Sequence, residues 1–543
     1  MSSPAHHAAV RSSGHRLWPW ILLIFILLFA AGVRFRLLDM PLERDEGEYA
    51  YSGQLMLQGI PPFELAYNVK LPGTSAAYAA IMAVFGQTDR AIHAGLLLIN
   101  AASVLLLFLL ARRLFDSIAG VVAAAAYAVM SVSPLFLGFA AHATHFVVLL
   151  MLAGMLSLLH ALQTKRHLLF FASGICFGLA FLMKQHGAAF GLFAGLWILL
   201  DGTLDKSRNG RELVRNFGFF SVECLLPCGI CCLILWWSNV FASFWQWVFD
   251  YARIYTGIIS FPEGMRLLRD QLLRQAIPFW PVALLSVFSL ALVLWQAGRK
   301  KAVFVILFLL VSMASVCPGW AFREHYFILV LPALALLLGA GASLAAALFA
   351  LNRPALRRLA IALPVAAILF SVVQQRHVFF LRSVPDVTKY VYGHNPFVEA
   401  REIGLHLRDH SKPDARIFVF GSEPEIYFYA RRHSASGFIY MYDVVQDQPK
   451  AREMQQQLIN EVTSVSPEFL VVVGIPTSWF LGQGKAYEFL NWGEQFCAQY
   501  YELVGLADLV SAKSSTILWD AEARAYNFQS TFQLQVYARK PVK

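Results

Sequence analysis

Charged residues are scarce in this chain. Asp, Glu, Lys and Arg make up only 14% of its 543 residues, against about a quarter in soluble domains. Hydrophobic residues account for 58%, and the mean hydropathy is +0.56. Residues 17–38, 91–110 and 327–351 are apolar runs that approach or exceed the roughly 20 residues needed to cross a bilayer as a helix. The composition excludes an ordinary soluble protein and predicts integration into a lipid bilayer.

Cysteine is also rare, with seven residues in all, which does not indicate a disulfide scaffold. Cys224, Cys228, Cys231 and Cys232 lie close together, but within an apolar run where Cys behaves as a small apolar residue. A metal site there would need polar neighbours to support its ligands, and the sequence offers none nearby. We interpret these cysteines as packing residues.

The net charge is +10, yet no basic patch is interleaved with aromatic residues as in nucleic-acid-binding proteins, so no nucleic-acid partner is expected. The basic residues collect instead in alternate short loops. We predict an α-helical polytopic membrane protein with about eleven transmembrane helices. They are 17–38, 91–111, 117–139, 144–162, 167–183, 187–201, 217–240, 277–296, 302–317, 325–350 and 357–377. The positive-inside rule places the basic loops and the N-terminus in the cytoplasm and the C-terminal region outside.

We predict that residues 17–380 form the transmembrane module and that an N-terminal tail and a C-terminal domain flank it. Residues 1–16 are polar and are predicted to be a cytoplasmic tail. A cleaved signal peptide is the alternative, but Arg34 and Arg36 stand near the end of the apolar run where a cleavage site would need small residues. Residues 381–543 are soluble in composition, with predicted strands at 414–421 and 468–474 and helices at 401–408 and 451–462. This alternation predicts a small α/β periplasmic domain.

The loop 39–90 follows the first predicted span and is rich in acidic residues, with Asp45 and Glu46 close to the membrane. Its stretches 49–57 and 76–85 are apolar and predict short helices along the membrane surface. Acidic groups there can bind a divalent cation that neutralises a phosphate leaving group, or one can act as a general base. A plain solvated acidic loop is the competing interpretation.

Other polar residues are predicted to lie on the same side. Lys70 shares the acidic loop, Lys184 interrupts two apolar runs, and Arg323 with Tyr326 precedes another span. Ionisable residues at such depth often mark a functional site, and Lys and Arg suit a lipid phosphate. For Lys184 the alternative is that the side chain snorkels to the interface.

His142 and His145 also fall in an external loop. Their spacing of three residues could place both rings on one side of a helix, where they could bind a metal or shuttle a proton. No fixed third ligand is evident from the spacing.

Four segments together resemble the GT-C membrane glycosyltransferases of the family-39 type, which include protein O-mannosyltransferases and the lipid A aminoarabinose transferase. The resemblance covers residues 17–380. The segments are Arg44-Asp45-Glu46-Gly47-Glu48-Tyr49-Ala50, Lys70-Leu71-Pro72, Gly178-Leu179-Ala180-Phe181-Leu182-Met183-Lys184 and Arg323-Glu324-His325-Tyr326 with the following residues to Pro332. They occur in the order in which that family carries them.

The resemblance implies transfer of a sugar from a polyprenyl-phosphate donor to a cell-envelope acceptor, with inversion, at the periplasmic face of a bacterial inner membrane. It implies that Asp45 is the base and that Glu46 assists it. Lys70, Lys184, Arg323 and Tyr326 would bind the donor phosphate. A divalent cation such as Mg²⁺ or Mn²⁺ would be held by Asp45 and Glu46, with His142 and His145 as further candidates.

One departure bears on the metal. Many relatives carry an acidic residue in the second external loop, where this chain has Ala141-His142-Ala143-Thr144-His145.

Two other functions remain open: a transporter or flippase for a lipid-linked saccharide, and a structural or assembly protein. Transporters place their key groups near the membrane midplane, whereas the polar residues here are predicted to gather at one face. The sequence names neither the sugar nor the acceptor.

Overall fold

The computed structural model describes residues 17–204, 210–349, 353–479, 487–511 and 514–541. The predicted tail 1–16 lies outside the described residues. Apolar helices fill the first two thirds of the chain, and a sheet with its own helices follows. Each of the eleven predicted spans overlaps a helix, although the helix in the predicted span 117–139 already ends at Met130. Eight helices are long and apolar enough to cross a membrane by length and composition, so the chain is a multi-pass membrane protein; the number of spans stays a prediction.

The helices over the predicted spans are α1 (Trp18–Arg36), α4 (Asp89–Leu114), α5 (Ser117–Met130), α6 (Ala143–Thr164), α7 (His167–Met183), α8 (Ala188–Leu204), α9 (Gly210–Trp237), α12 (Phe261–Gln296), α13 (Arg299–Ser315), α14 (Leu331–Leu348) and α15 (Pro354–Gln374). Between them lie α2 (Arg44–Leu57), α3 (Gly73–Phe85), α10 (Phe241–Trp245), α11 (Ala252–Thr256) and a short 3-10 helix, Glu324–Leu329. Helices α2 and α3 match the two short helices predicted in the acidic loop.

Helix α12 corrects the predicted topology in one respect. It begins at Phe261, whereas the span was predicted from residue 277, and its 36 residues project well beyond the apolar segment. The predicted long loop before it is largely helical, with a π-helix at Gln246–Tyr251 between α10 and α11. The residues of the added turns include Arg266, Arg269 and Arg274, which hydropathy alone excludes from a span.

The C-terminal part is an α/β layer structure. A six-stranded sheet runs in the order β2-β1-β3-β6-β4-β5. Its strands are β1 (Arg416–Phe420), β2 (His433–Ser434), β3 (Phe469–Gly474), β4 (Tyr501–Ser511), β5 (Ser514–Trp519) and β6 (Gln533–Arg539). Strand β1 pairs in parallel with β2 and β3, whereas β6 pairs antiparallel with β3 and β4.

The helices of the C-terminal part are α16 (Val384–Tyr392), α17 (Phe397–His410), α18 (Glu425–Ala430), α19 (Tyr442–Val445), α20 (Ala451–Val465), α21 (Pro476–Trp479), α22 (Tyr487–Tyr500) and α23 (Asp520–Ala525). The predicted strands correspond to β1 and β3, and the predicted helices to α17 and α20. The predicted fold class, a helical membrane module followed by a small α/β unit, is therefore confirmed.

The acidic loop lies between these two parts. Tyr51 of α2 packs on Tyr427 of α18, with ring centroids 5.2 Å apart, and its hydroxyl accepts a hydrogen bond from the Ser434 backbone. A Cβ on Gly47 would stand 2.5 Å from the backbone nitrogen of Glu425, so α2 and α18 touch closely at this residue. The sheet unit therefore covers α2, and the two form one apolar core.

Candidate active site

The site is built on the first turn of α2. Glu43 caps the helix: its carboxylate accepts from the Glu46 backbone N–H at 3.0 Å, and the Glu46 carboxylate accepts from the Glu43 N–H at 3.3 Å. This reciprocal pair satisfies donors that a helix start otherwise leaves unpaired. It fixes the direction in which Asp45 leaves the helix.

Arg44 ties the same turn to the C-terminal part. Its guanidinium donates to the Ser422 carbonyl at 2.5 Å and to Glu423 Oε1 at 2.7 Å, and Glu423 is fully buried. Breaking such a pair leaves a buried charge without a partner, which is costly. The position of α2 is therefore fixed from the side of the sheet as well.

Lys70 reaches Asp45 from the other arm of the loop. Its ammonium donates to Asp45 Oδ1 at 2.8 Å and also to Glu48, one helical turn away from Asp45. Burial raises the pKa of Asp45, but Lys70 and two neighbouring imidazoles together outweigh burial and hold that pKa well below its usual value. The two carboxylates likewise outweigh burial at Lys70 and raise the pKa of its ammonium. Both partners are charged at neutral pH.

The Lys70 segment is itself held against the end of α7. Thr74 Oγ1 donates to the Met183 carbonyl at 2.7 Å, and Gln185 donates to the Val69 carbonyl at 2.7 Å. A Cβ on Gly73 would lie 2.4 Å from the Leu182 carbonyl oxygen, so only glycine allows this approach. The predicted segments around Lys70 and Lys184 are thereby brought together.

Lys184 has a different setting from Lys70. Its ammonium lies 4.3 Å from the centre of the Tyr326 ring, and no carboxylate of the described residues is within 4.0 Å of it. Burial lowers the pKa of Lys184 to about 7, and the charges of Lys70 and Arg323 act in the same direction.

Arg323 is solvent-exposed and precedes the 3-10 helix that carries Tyr326. The neighbouring Tyr255 is the main influence that raises the pKa of Arg323, and Asp45 also contributes. Burial raises the pKa of Tyr326 to about 12, so its hydroxyl is a donor at neutral pH. The four predicted groups Asp45, Lys70, Lys184 and Arg323 thus act on one another electrostatically.

Two imidazoles face Asp45 on the side away from Lys70. His142 Nδ1 is 3.9 Å and His325 Nε2 is 3.8 Å from Asp45 Oδ2, and the two rings are stacked with centroids 4.0 Å apart. One ligand atom from each of the three residues lies within 4.8 Å of the other two. Burial lowers the pKa of His142 to about 4 and that of His325 well below its usual value, so both rings are neutral, as ligands require.

This trio fits a divalent cation. His142 is 1% exposed, and neither of its ring nitrogens has a hydrogen-bond partner in the described residues. The predicted metal residues Glu46 and His145 lie outside the trio. Glu46 Oε1 is 3.0 Å from His93 Nε2 and accepts from the Ala141 N–H at 2.5 Å, so it connects α2 to α4 and to the loop before α6. His145 is buried on the next turn of α6.

Several site residues were absent from the predicted set. Glu48 follows Asp45 by three residues, a spacing that places both on one helix face, and this signal was available. His325 lies two residues after Arg323, in a segment that the sequence predicts to bind phosphate and not metal. Tyr440 stacks on Tyr442 at 5.4 Å, and its ring centre lies 5.7 Å from the Lys70 ammonium. No local pattern connects either tyrosine with the acidic loop.

Comparison with known proteins concerns the fold of the chain. A family model described as dolichyl-phosphate-mannose-protein mannosyltransferase matches residues 70–215. The crystal structure of apo ArnT from Cupriavidus metallidurans is similar with a TM-score of 0.56 at 14% identity, covering 95% of this chain and 97% of that one. The predicted GT-C fold is confirmed.

Two further structures show the same likeness. ArnT from Cupriavidus metallidurans bound to undecaprenyl phosphate has a TM-score of 0.55 at 14% identity and covers 96% of this chain and 98% of that one. The apo oligosaccharyltransferase of Archaeoglobus fulgidus has a TM-score of 0.55 at 13% identity, covering 93% and 75%. No curated protein sequence matches the chain.

Proposed function

We propose that this protein is a membrane glycosyltransferase that moves a sugar from a polyprenyl-phosphate-linked donor to a cell-envelope lipid, glycan or protein. One observation carries the proposal: an ionised Asp45 lies within electrostatic reach of two cations, Lys184 and Arg323, that have no carboxylate within 4.0 Å among the described residues. Cations without a carboxylate partner can bind a phosphate, and the carboxylate near them can accept a proton from the attacking group. Donor and acceptor would meet between them.

The donor side uses Lys184, Arg323 and Tyr326. The two cations would neutralise the charge that collects on the polyprenyl phosphate as the bond from its oxygen to the anomeric carbon breaks. The Tyr326 hydroxyl can donate a further hydrogen bond. Lys70 is engaged by Asp45 and Glu48, so it would orient Asp45 and share its remaining donor capacity with the phosphate.

The acceptor side uses Asp45. Its carboxylate would take the proton of the acceptor hydroxyl or amine as that group attacks the anomeric carbon from the face opposite the phosphate. A single displacement of this kind inverts the configuration at that carbon. A carboxylate of low pKa is a weak base, but it stays ionised at every relevant pH. Glu46 would support the step through the position of α2.

A divalent cation fits the trio of Asp45, His142 and His325. When bound, it would offset negative charge on the donor phosphate and hold the Asp45 carboxylate in place.

The predicted membrane topology also gives the site a location. We place the site at the periplasmic face of a bacterial inner membrane, because the basic short loops would then lie in the cytoplasm.

The test compares Asp45→Asn with Asp39→Asn in purified protein, using undecaprenyl-phosphate sugars and extracted envelope acceptors. Asp39 lies in the same loop, is half exposed and pairs with Arg90 on the surface. Loss of a general base lowers turnover by about 10²–10⁴-fold, so Asp45→Asn should lose transfer to that extent and Asp39→Asn should retain it. Normal transfer by Asp45→Asn would show that Asp45 is not the base. Vesicle translocation of the donor without any transfer by the wild type would favour a flippase.

A further inference from the structure

The trio of Asp45, His142 and His325 also indicates which metal ion it would take. The inference deepens the proposed function at the same site, and it rests on that function for the role of the cation. The metal-binding property itself can be measured separately from transfer.

The ligand atoms are two imidazole nitrogens and one carboxylate oxygen. Mg²⁺ and Ca²⁺ bind oxygen ligands almost exclusively, whereas imidazole suits Zn²⁺ and other first-row transition metals. Asp45 supplies one oxygen, and its neighbours in α2 are engaged elsewhere, Glu46 by His93 and Ala141 and Glu48 by Lys70. Glu43 Oε1 caps α2 and lies 3.7 Å from His142 Nδ1, so this oxygen is adjacent to the trio.

The distances support two ligands of one ion rather than direct hydrogen bonds. The separations of 3.8 and 3.9 Å from Asp45 Oδ2 to the two rings exceed hydrogen-bond length. Two ligands each about 2.1 Å from one ion lie up to about 4.2 Å apart, and both separations fall below that limit. The other oxygen of Asp45 faces Lys70, so the carboxylate can use one oxygen for the ammonium and one for the ion.

Burial supplies an independent observation. His142 and His325 are 1% and 5% exposed. Both ring nitrogens of His142 lack a partner in the described part of the chain, and an unpaired buried polar group costs about 1–3 kcal/mol. A metal bond would satisfy one of these nitrogens.

We infer that Asp45, His142 and His325 form a site that is selective for Zn²⁺ or another first-row transition-metal ion over Mg²⁺ and Ca²⁺. Three protein ligands leave coordination positions open. Oxygens of the donor phosphate could occupy them, which would connect the ion to the leaving group that Lys184 and Arg323 also face.

The experiment uses the full chain without an affinity tag, stripped with a chelator and titrated with Co²⁺ as a spectroscopic probe. We expect one equivalent of Co²⁺ to give visible ligand-field bands that Zn²⁺ abolishes and a large excess of Mg²⁺ leaves unchanged. His142→Ala and His325→Ala should each weaken Co²⁺ binding by at least about 100-fold, because loss of an outer partner alone costs about 10–100-fold. His167→Ala, an exposed histidine at the start of α7, should bind as the wild type does.

Two results would overturn the inference. One is the absence of stoichiometric bands in stripped wild type; the other is displacement of Co²⁺ by Mg²⁺ as readily as by Zn²⁺. Circular dichroism and gel filtration identify a variant that fails to fold, and Asp45→Asn then serves as the second ligand variant. Transfer by stripped enzyme without Co²⁺ binding rejects the metal site alone. Co²⁺ binding with no transfer from any donor rejects the proposed function and leaves the site intact.

Discussion

Lys70 and Lys184 show how two lysines at one site differ through their neighbours. The ammonium of Lys70 lies between Asp45 and Glu48, and these carboxylates keep its pKa high. Lys184 lies over the Tyr326 ring instead, and burial lowers its pKa to about 7. The charge of Lys184 therefore varies in the physiological pH range, whereas that of Lys70 does not.

This difference predicts a pH-dependent affinity for the donor. Lys184 is charged below its pKa and neutral above it, so binding of an anionic donor should weaken as pH rises through about 7. We expect the KM for an undecaprenyl-phosphate sugar to rise by up to about 50-fold between pH 7 and pH 9, because the charged fraction of a group with a pKa of about 7 falls from about one half to about one hundredth. The Lys184→Arg variant should keep a flat KM, because guanidinium stays charged throughout. Asp45, Glu48, Lys70 and Arg323 act on the pKa of Lys184, and Tyr326 is in contact with its ammonium. The charge of Lys184 in turn lowers the pKa of His142, His186 and His325.

Steady-state kinetics across this range, in wild type and Lys184→Arg, is the measurement. An equal rise of KM in both proteins would assign the pH effect to another group and contradict the prediction.

At the residue scale, the sequence points to Lys184 and Arg323 as candidate site residues, whose binding of the donor phosphate stays a prediction, but it does not show how the carboxylates pair. Lys184 and Arg323 were predictable because a charge that interrupts apolar runs is conspicuous. The contact of His325 with Asp45 joins positions 280 residues apart in the chain (325 − 45). It joins α2 to the 3-10 helix Glu324–Leu329, and no spacing rule reports a contact between such distant elements.

At the scale of elements, helix α2 matters most because it carries Asp45 and contacts the sheet unit through Gly47. The space for a side chain at this position is taken by the backbone of Glu425, at 2.5 Å from a Cβ. Backbone cannot move aside as the end of a flexible side chain can. The position of Asp45 therefore depends on the absence of a side chain two residues later.

We expect Gly47→Ala to lower stability by about 1–3 kcal/mol, the usual cost of overpacking, and to reduce transfer because α2 shifts. The matched control is Gly32→Ala in α1, where a Cβ meets nothing within 4 Å. That variant should be neutral or up to about 1 kcal/mol more stable, since Ala favours helix over Gly. Thermal unfolding in detergent compares the two. Equal midpoints for both variants would show that α2 and α18 are not tightly packed.

The helices themselves were largely predictable, because apolar runs of span length have few alternatives in a bilayer. The early start of α12 was not predictable in this way. Its first turns carry Glu263 and Arg266, which pair at 3.1 Å as i,i+3 partners on an exposed surface. Such a segment has the residue spacing of a helix but is too polar for a membrane span, so hydropathy assigns it to a loop.

On the scale of the whole molecule, the acidic loop and the C-terminal sheet share a core that the sequence could not reveal. Tyr51, Leu55 and Tyr78 from α2 and α3 belong to the same buried cluster as Val419 and Ile426. A second cluster joins Phe63 and Leu71 with further residues of the C-terminal part. Composition indicated a soluble domain from residue 381, but composition does not report which apolar faces are covered by another part of the chain.

This shared core predicts that the C-terminal part depends on the membrane module. Expressed alone, residues 394–543 would expose the apolar surface that α2 and α3 cover, and a large exposed apolar patch favours aggregation. We expect this fragment to be insoluble or aggregated by gel filtration. Co-expression with residues 1–393, which splits the chain in the turn after α16, should yield a complex that copurifies in detergent, because the buried contacts form without a covalent link. A fragment that is monomeric, unfolds cooperatively and does not bind residues 1–393 would instead show that the C-terminal part is an autonomous domain. In that case, the interface that brings Tyr440 and Tyr442 close to Lys70 and Arg44 would be weak.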